Sequence, residues 1–225
     1  MMRTNLFWIC VLSLISVAGC DIQKSVLLGD SVYQIPAEYL ITPPSVFEME
    51  EGDSDAGMVG LTFNQDQDFS EYLGADAWLP KNSITAILYS REGTKLTGIS
   101  PLFSRPVEFS IEGKQLVEFE NSYRLFNGNT RISWQAFPKQ QTIIYETDVK
   151  AKWVADCIPM GGMKGSEQSH ESIDIPTSCR IDIEYQNVIL SLTTSEKNLI
   201  GHADKIINSV LRKIDSWRVL NGGKT

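Results

Sequence analysis

The chain has 225 residues, of which 20 are basic and 28 are acidic, so its formal net charge at pH 7 is −8. This balance argues against nucleic acid or an anionic lipid surface as a binding partner, because affinity for both comes mainly from clustered Lys and Arg. The hydrophobic fraction of 42% is ordinary for a globular protein, and the length suits one domain.

The first 19 residues are typical of a bacterial secretion signal. Arg3 supplies the positive end, residues 6–17 form a short apolar run, and Ala18 and Gly19 are small enough for a peptidase cleft. The run is too short for a transmembrane helix, which needs roughly 20 apolar residues. An ordinary secretory signal, or a buried apolar helix that ends at a chance cysteine, fits this spacing less well.

Residues 17–20 read Val-Ala-Gly-Cys and resemble the lipobox of bacterial lipoproteins. The resemblance implies a diacylglyceryl group on the thiol of Cys20 and cleavage just before it. Two or three acyl chains would anchor the protein stably, whereas one chain binds a membrane only reversibly. Asp21 resembles the signal that retains enteric lipoproteins at the inner membrane, which implies an anchor there and a domain facing the periplasm.

These features divide the chain into three parts. We expect a lipoprotein signal peptide at residues 1–19, a lipidated cysteine and tether at 20–31, and a single globular periplasmic domain at 32–225.

The middle of the chain alternates apolar and polar residues between turn signals, which is typical of antiparallel strands. Val107, Phe109 and Ile111, for example, fall on one face of their strand. Hairpins are predicted at residues 84–99, 107–119 and 123–134, with turns at 91–94, 112–114 and 127–129. Longer strands are predicted to cover residues 142–153 and 180–192.

The end of the chain changes to a helical period. Apolar positions recur every three or four residues at Leu199, Ala203, Ile206, Ile207, Val210, Ile214 and Trp217. The helix is predicted to begin between Ser195 and Gly201 and to stop at the Asn-Gly-Gly of residues 221–223. A helix on a membrane surface would carry a basic polar face, whereas this one mixes both signs. The sequence therefore predicts an α+β fold, mainly antiparallel β-sheet with a C-terminal amphipathic helix packed on it.

Two of the four cysteines remain for the mature domain. Cys10 leaves with the signal peptide and Cys20 carries the lipid, so Cys157 and Cys179 are left in an oxidising compartment. A disulfide between them would close a loop of about 23 residues and stabilise the fold by roughly 3 kcal/mol in the chain-entropy model. A zinc pair and a catalytic thiol are the alternatives, but there is no Cys-x-x-Cys spacing and His170 is the only histidine nearby.

The sequence shows no pattern of a common catalytic site. The two histidines, His170 and His202, fall in a polar loop and near the start of the last helix, and there is no Gly-x-Ser-x-Gly motif. The Gly-Gly-Met-Lys-Gly of residues 161–165 lacks the ending of a phosphate-binding loop. Pairs of carboxylates are too common among 28 acids to indicate glycosidase chemistry. We therefore expect no enzyme activity, no cofactor and no metal site.

Two acidic tracts are candidate binding surfaces. Asn64, Asp66 and Asp68 have the one-three-five spacing of a calcium loop, but Phe69 replaces the required glycine and Ala75 the bidentate glutamate. An EF-hand is thereby ruled out, another type of calcium site stays open, and a solvated loop is favoured. The acids could also steer a basic protein partner by long-range attraction. The candidate partner-binding residues are Glu48, Glu50, Glu51, Asp53, Asp55, Asp66 and Asp68.

Three features resemble a known family: the pattern Tyr-x-Ile-Pro-x-Glu-Tyr-Leu at residues 33–40, the late cysteine pair, and a strand pair followed by a helix ending at Ser216-Trp217. They resemble immunity lipoproteins, small envelope proteins that neutralise toxic lipases or related effectors delivered by type VI secretion systems. The resemblance covers only the beginning and end of the chain. It implies a membrane-anchored periplasmic protein that neutralises a toxic effector enzyme by binding it. The alternative is a structural or assembly lipoprotein of an envelope complex, and an enzyme comes third.

Overall fold

The computed structural model describes residues 23–41, 58–73, 83–90, 106–119, 121–127, 133–160 and 176–219. Within these ranges the fold is α+β and mainly antiparallel, with one long C-terminal helix, as the sequence predicts. The strands are β1 (Gln23–Leu28), β2 (Ser31–Pro36), β3 (Met58–Thr62), β4 (Thr85–Ser90), β5 (Val107–Ser110), β6 (Gln115–Glu118), β7 (Ser122–Phe126), β8 (Trp134–Pro138), β9 (Thr142–Ile144), β10 (Asp148–Ala151), β11 (Ala155–Pro159), β12 (Thr177–Tyr185), β13 (Val188–Thr194) and β14 (Arg218–Val219). The helix α1 spans Glu196–Trp217, and short 3-10 helices lie at Ala37–Tyr39 and Gln67–Phe69.

The described strands form one large sheet and two small ones. The large sheet has the order β3–β4–β13–β12–β11–β8–β7–β6, and the small sheets have the orders β1–β2–β14 and β5–β10–β9. The helix α1 and the β1–β2–β14 sheet pack on one face of the large sheet around the main hydrophobic core. The β5–β10–β9 sheet covers the other face near β7 and β8, where a smaller core forms around Phe137 and Val149.

Alternation along β12 shows how the sequence builds these layers. Cys179, Ile181 and Ile183 are buried in the main core beneath α1. Arg180 and Asp182 project from the opposite face, where their side chains lie 3.5 Å apart as an ion pair. A strand with one dry face and one wet face requires this period of two.

The three predicted hairpins differ in how well they agree with the described strand pairings. β7 and β8 pair antiparallel as predicted, with Phe126 opposite Trp134, but β8 begins at the last residue of the predicted strand 131–134, and residues 128–132 lie outside the described ranges. A turn also forms at residues 111–114, but β5 pairs with β10 and β6 with β7, so the hairpin predicted there is wrong. Both edges of β4 are taken by β3 and β13, so its predicted pairing with residues 95–99, which lie outside the described ranges, is wrong as well. Strand pairing depends on burial across the whole sheet, which local turn signals do not report.

Each of the two predicted long strands is in fact a hairpin. Residues 142–153 hold β9 and β10, with Ile144 opposite Val149. Residues 180–192 hold most of β12 and β13, which join at Gln186, whose φ is 52°. Neither connection contains the glycine that marks most tight turns, so the sequence carries no strong signal for them.

The predicted tether is wrong from Gln23 onward. β1 pairs with β2 along its whole length, and Leu28 is fully buried. Gly29 has a φ of 57°, a conformation that glycine adopts without strain and that closes the turn between these strands. The described fold therefore includes residue 23 itself, while Cys20 and Asp21 lie outside the described residues.

The start of α1 falls within the predicted interval. Ser195 is the N-cap, and its hydroxyl oxygen accepts a hydrogen bond of 3.2 Å from the Asn198 amide. The helix bends at His202, whose φ of −144° and ψ of 16° are not helical, directly after Gly201. The His202 ring packs beside Tyr72, with 5.1 Å between ring centroids.

The apolar face of α1 is buried as predicted, but its end is not where the sequence places it. The helix ends at Trp217 rather than at residues 221–223, because Arg218 and Val219 leave it to pair with β2 as β14. In the part of the chain that the structure describes, no helix is long and apolar enough to span a membrane.

Candidate partner-binding surface

A buried ion pair holds the N-terminal end of α1. Arg124 Nε donates a hydrogen bond of 2.9 Å to Glu196 Oε1, and neither side chain is more than 1% exposed. Trp134 Nε1 donates to the other carboxylate oxygen at 3.2 Å, and the Glu196 amide donates to Thr177 Oγ1 at 3.0 Å. The guanidinium also lies over the rings of Phe119 and Trp134. Both oxygens of Glu196 are satisfied within the fold, so this network is structural rather than a ligand site.

The predicted disulfide is confirmed, since Cys157 and Cys179 face each other on β11 and β12 with their Sγ atoms bonded. Their sulfurs and an oxygen of Glu196 lie within 4.8 Å of one another, close enough in principle to hold a metal ion. A bonded disulfide offers no thiolate to zinc, and the carboxylate is already engaged by Arg124. While the bridge is formed, neither the zinc pair nor the catalytic thiol fits.

A second cluster, half exposed, holds the C-terminal end of α1. Lys213 Nζ lies 3.0 Å from Asp66 Oδ2 and 3.2 Å from Asp68 Oδ2. Tyr39 Oη donates to the same Asp66 oxygen at 2.8 Å. Asp66 Oδ1 accepts from the Asp68 amide at 2.9 Å, which caps the 3-10 helix that follows. We call Tyr39, Asp66, Asp68 and Lys213 the lysine cluster.

The contacts in the lysine cluster shift its pKa values. Burial raises the pKa of Asp66, but hydrogen bonds from the Asp68 amide, Lys213 and Tyr39 outweigh it, so this pKa lies below its ordinary value. Burial lowers the pKa of Lys213, but its hydrogen bonds to Asp66 and Asp68 outweigh burial, so this pKa lies above its ordinary value. Burial and the bond to Asp66 both raise the pKa of Tyr39. At neutral pH the cluster therefore holds an ionised Asp66 and a charged Lys213.

Of the candidate acids, Asp66 and Asp68 lie among the described residues. Glu48, Glu50, Glu51, Asp53 and Asp55 lie outside the described residues, so their role stays a prediction.

Asp66 and Asp68 differ sharply in exposure. The Asp66 side chain is only 5% exposed, so the expectation of a solvated loop carboxylate is wrong for this residue. Asp68 is 63% exposed. Both carboxylates already face the ammonium of Lys213, which a calcium ion would have to displace. An acid that caps a helix is the sequence signal that could have marked Asp66 as structural.

The exposed face of α1 and the adjoining loop line a shallow, open depression of about 1050 Å³. Its rim carries both signs of charge, with Lys205 and Arg212 near Glu71 and Asp215. On one flank, Tyr185 Oη donates to Asp215 Oδ2 at 2.6 Å. Because the lining residues run around one exposed helix face, this is an open surface and not the concave, mostly apolar pocket that a small ligand needs.

An exposed apolar run, which was not predicted from the sequence, lies on β9, the last described strand of the β5–β10–β9 sheet. Ile143, Ile144 and Tyr145 are consecutive and are 56%, 39% and 56% exposed. Among the strands that the structure describes, β9, which contains the first two, pairs with β10 alone. The signal was three apolar residues in a row, which breaks the alternation of a half-buried strand. The run was not recognised as exposed because one long strand was predicted across this region.

Comparison with known proteins shows no family for the chain. No protein-family model and no curated protein matches it. Among solved structures it is similar to an immunity protein of the Stenotrophomonas maltophilia type IV secretion system, with 13% sequence identity and a TM-score of 0.39. The similarity covers 89% of this chain and 94% of that one. A likeness this distant establishes neither the family nor the function of the chain.

Proposed function

We propose that this chain is a lipid-anchored protein of the cell envelope that neutralises a toxic effector enzyme by binding it. The observation that carries the proposal is the exposed apolar run of Ile143, Ile144 and Tyr145, at a sheet edge that no other described strand covers. Large apolar side chains grouped in water are typical of protein contact surfaces. A partner that covers them gains roughly 25 cal/mol for each Å² of apolar area removed from water.

The lipobox supports an anchor that leaves this edge accessible. Lipid on Cys20 would hold β1 close to a membrane, since the link from Cys20 to Gln23 spans at most about 10 Å. After the β1–β2 hairpin, Leu40 forms an isolated β-bridge with Leu61 of β3. β8, which leads directly into β9, is five strands from β3 in the sheet order, a distance of roughly 25 Å. The disulfide fits the oxidising compartment in which such a domain works.

Growth rescue tests the proposed function. Where a toxin-like gene lies beside this one, its product would be expressed in the periplasm of a bacterial host, with and without the full chain. We expect the chain to restore growth and to form a complex with the toxin after purification. Cys20→Ser should lose acyl labelling and protection in cells yet still bind the purified toxin, because only the anchor is removed.

Three outcomes would contradict the proposed function. Normal acyl labelling of Cys20→Ser would refute the lipid site. A chain that binds a secretion or transport component instead of the toxin would support the assembly alternative. A purified chain that hydrolyses lipid or peptidoglycan would replace binding by catalysis.

The acidic tract at residues 48–55 is proposed to steer the partner. Neutralising Glu50, Glu51 and Asp53 together should slow association and weaken its dependence on salt, because exposed charges act mainly on the encounter rate. The matched control removes the same charge elsewhere, in the variant Asp30→Asn, Glu38→Gln, Glu71→Gln, whose three side chains are exposed and away from β9. Surface-binding kinetics at two salt concentrations would measure both variants. Equal on-rates for the two would show that only net charge matters.

A further inference from the structure

We propose that the edge of β9 that has no neighbour among the described strands binds an extended, basic segment of the partner protein as an added β-strand. This inference rests on the proposed function, because it names the surface and the kind of segment through which binding occurs.

The hydrogen-bond register directs the N–H and C=O groups of two β9 residues away from β10. Tyr145 N donates to Asp148 O at 2.8 Å, and Lys152 N donates to Gln141 O at 3.2 Å, so residues 141, 143 and 145 face β10. Bonded and non-bonded pairs alternate in an antiparallel ladder. The N–H and C=O groups of residues 142 and 144 therefore point away from β10. These groups have no backbone partner among the described residues, and such a row is a template for strand addition.

The side chains of β9 leave this edge unprotected. Ile143 and Tyr145 share the outer face with Lys150, and residues 141–145 carry no charge. The opposite edge of the same sheet is different, since Glu108 of β5 bonds to Lys150 at 2.8 Å on that face. Proteins commonly place charges on edge strands to prevent pairing with another chain. β9 lacks this protection, which suits an edge that pairs as part of its function.

The charges around β9 favour a basic segment. The neighbouring cations Lys139, Lys150 and Lys152 are already paired with Glu118, Glu108 and Asp204, respectively.

Two acids near β9 remain uncompensated. Glu146 and Asp148 form no ion pair among the described residues, and the Asp148 carboxylate accepts only from Thr147 Oγ1 at 3.0 Å. A Lys or Arg beside them would be attracted to both. A second copy of this chain, with its net charge of −8, is repelled overall and is a poorer occupant. The expected segment alternates β-branched or aromatic residues with polar ones and is basic at the end that meets these acids.

The test is a selection of seven-residue peptides displayed on phage, with the full chain immobilised. We expect the chain to enrich alternating sequences with Lys or Arg at one end. Ile144→Pro should weaken their binding at least tenfold, because it removes an outward N–H and no bond to β10. Ile158→Lys is the matched control, since Ile158 is 51% exposed but lies on β11, inside the large sheet, and this variant should bind as the wild type does.

A second variant keeps the test decisive if the proline prevents folding. Ile143→Lys with Tyr145→Lys leaves the backbone unchanged and should also weaken binding at least tenfold. Enrichment of acidic or non-alternating peptides would overturn the proposal, as would equal binding by the edge variants and the wild type. A wild-type dimer in sedimentation velocity that Ile144→Pro dissociates would overturn it in favour of self-association.

Growth rescue separates this proposal from the proposed function. If the wild type and Ile144→Pro both rescue growth and bind the toxin equally, the proposed function stands and strand addition fails. If the wild type gives no rescue while the peptide selection succeeds, the proposed function fails and the strand site stands.

Discussion

The two ends of α1 are held by similar chemistry in different surroundings. At the N-terminal end, Glu196 and Arg124 form an ion pair shielded from water. At the C-terminal end, Lys213 is 27% exposed and meets the buried Asp66 and the exposed Asp68. Removing one partner of a buried pair leaves a charge that water cannot reach, whereas a half-exposed charge is re-solvated. Loss of a partner from the first pair should therefore be strongly destabilising, and loss of a partner from the second should cost much less.

The largest effect is expected from Glu196→Ala. This change leaves the Arg124 guanidinium and the Trp134 N–H without their carboxylate, and should lower the free energy of unfolding by about 3 to 5 kcal/mol. Urea denaturation would measure it. Asp204→Ala is the matched control on the same helix, because Asp204 pairs with Lys152 at the surface, and it should cost no more than about 1 kcal/mol. Similar losses in both variants would remove the contrast between buried and exposed pairs.

Removing the disulfide should give the second-largest loss of stability, and it also acts near the N-terminal end of α1. Cys157→Ala with Cys179→Ala should lower the free energy of unfolding by about 3 kcal/mol, because the unfolded chain regains the freedom of the closed loop. The comparison is the wild type measured in reductant strong enough to open the bridge, which should lose a similar amount. A double variant as stable as the oxidised wild type would show that the bridge contributes nothing.

At the C-terminal end, Asp66→Asn should cost about 1 kcal/mol, because it weakens the bond with Lys213 while keeping the shape of the side chain. Asp68→Asn is the control, and its exposed carboxylate should change stability by no more than about 0.5 kcal/mol. Thermal unfolding of both variants would rank them. A larger loss from Asp68→Asn would show that burial does not decide which acid matters.

The pH dependence of stability isolates the charge of Asp66. Its pKa in the folded protein is lowered, so its contribution is fully present above the ordinary pKa of a carboxyl, near 4, and is lost as the pH falls through the lowered value. The stability difference between the wild type and Asp66→Asn should be constant above about pH 5 and shrink at lower pH. Urea denaturation at pH 3 and at pH 7 would measure it, and an equal difference at both would contradict the ionic role.

The smallest effect concerns the bend between the two ends. Gly201→Ala should raise the free energy of unfolding by about 0.5 kcal/mol, because alanine favours a helix and an added Cβ would meet no atom within 4 Å. A loss of stability would show that the bend at His202 needs glycine before it.

Part of the molecule could be predicted from short stretches of sequence. The period of Leu199 to Trp217 is enough to predict α1 and its buried face, and Ser195 to predict its start. The partners of β5 and β6 could not be predicted, although their turn was, because each strand pairs in a different sheet. The three apolar residues of the β9 run are adjacent in the sequence, but the sequence does not show that they lie at a sheet edge. An edge is defined by the neighbour that a strand lacks.

The sequence by itself determined the fold class, the apolar face of α1 and the pairing of Cys157 with Cys179. Each depends on a local period or on the small number of thiols. Only the tertiary structure decided that Glu196 meets Arg124, 72 positions away, and that Lys213 covers Asp66. Such contacts join residues that no local pattern relates, because they arise from the order in which strands pack and from the burial that this order imposes on each charge.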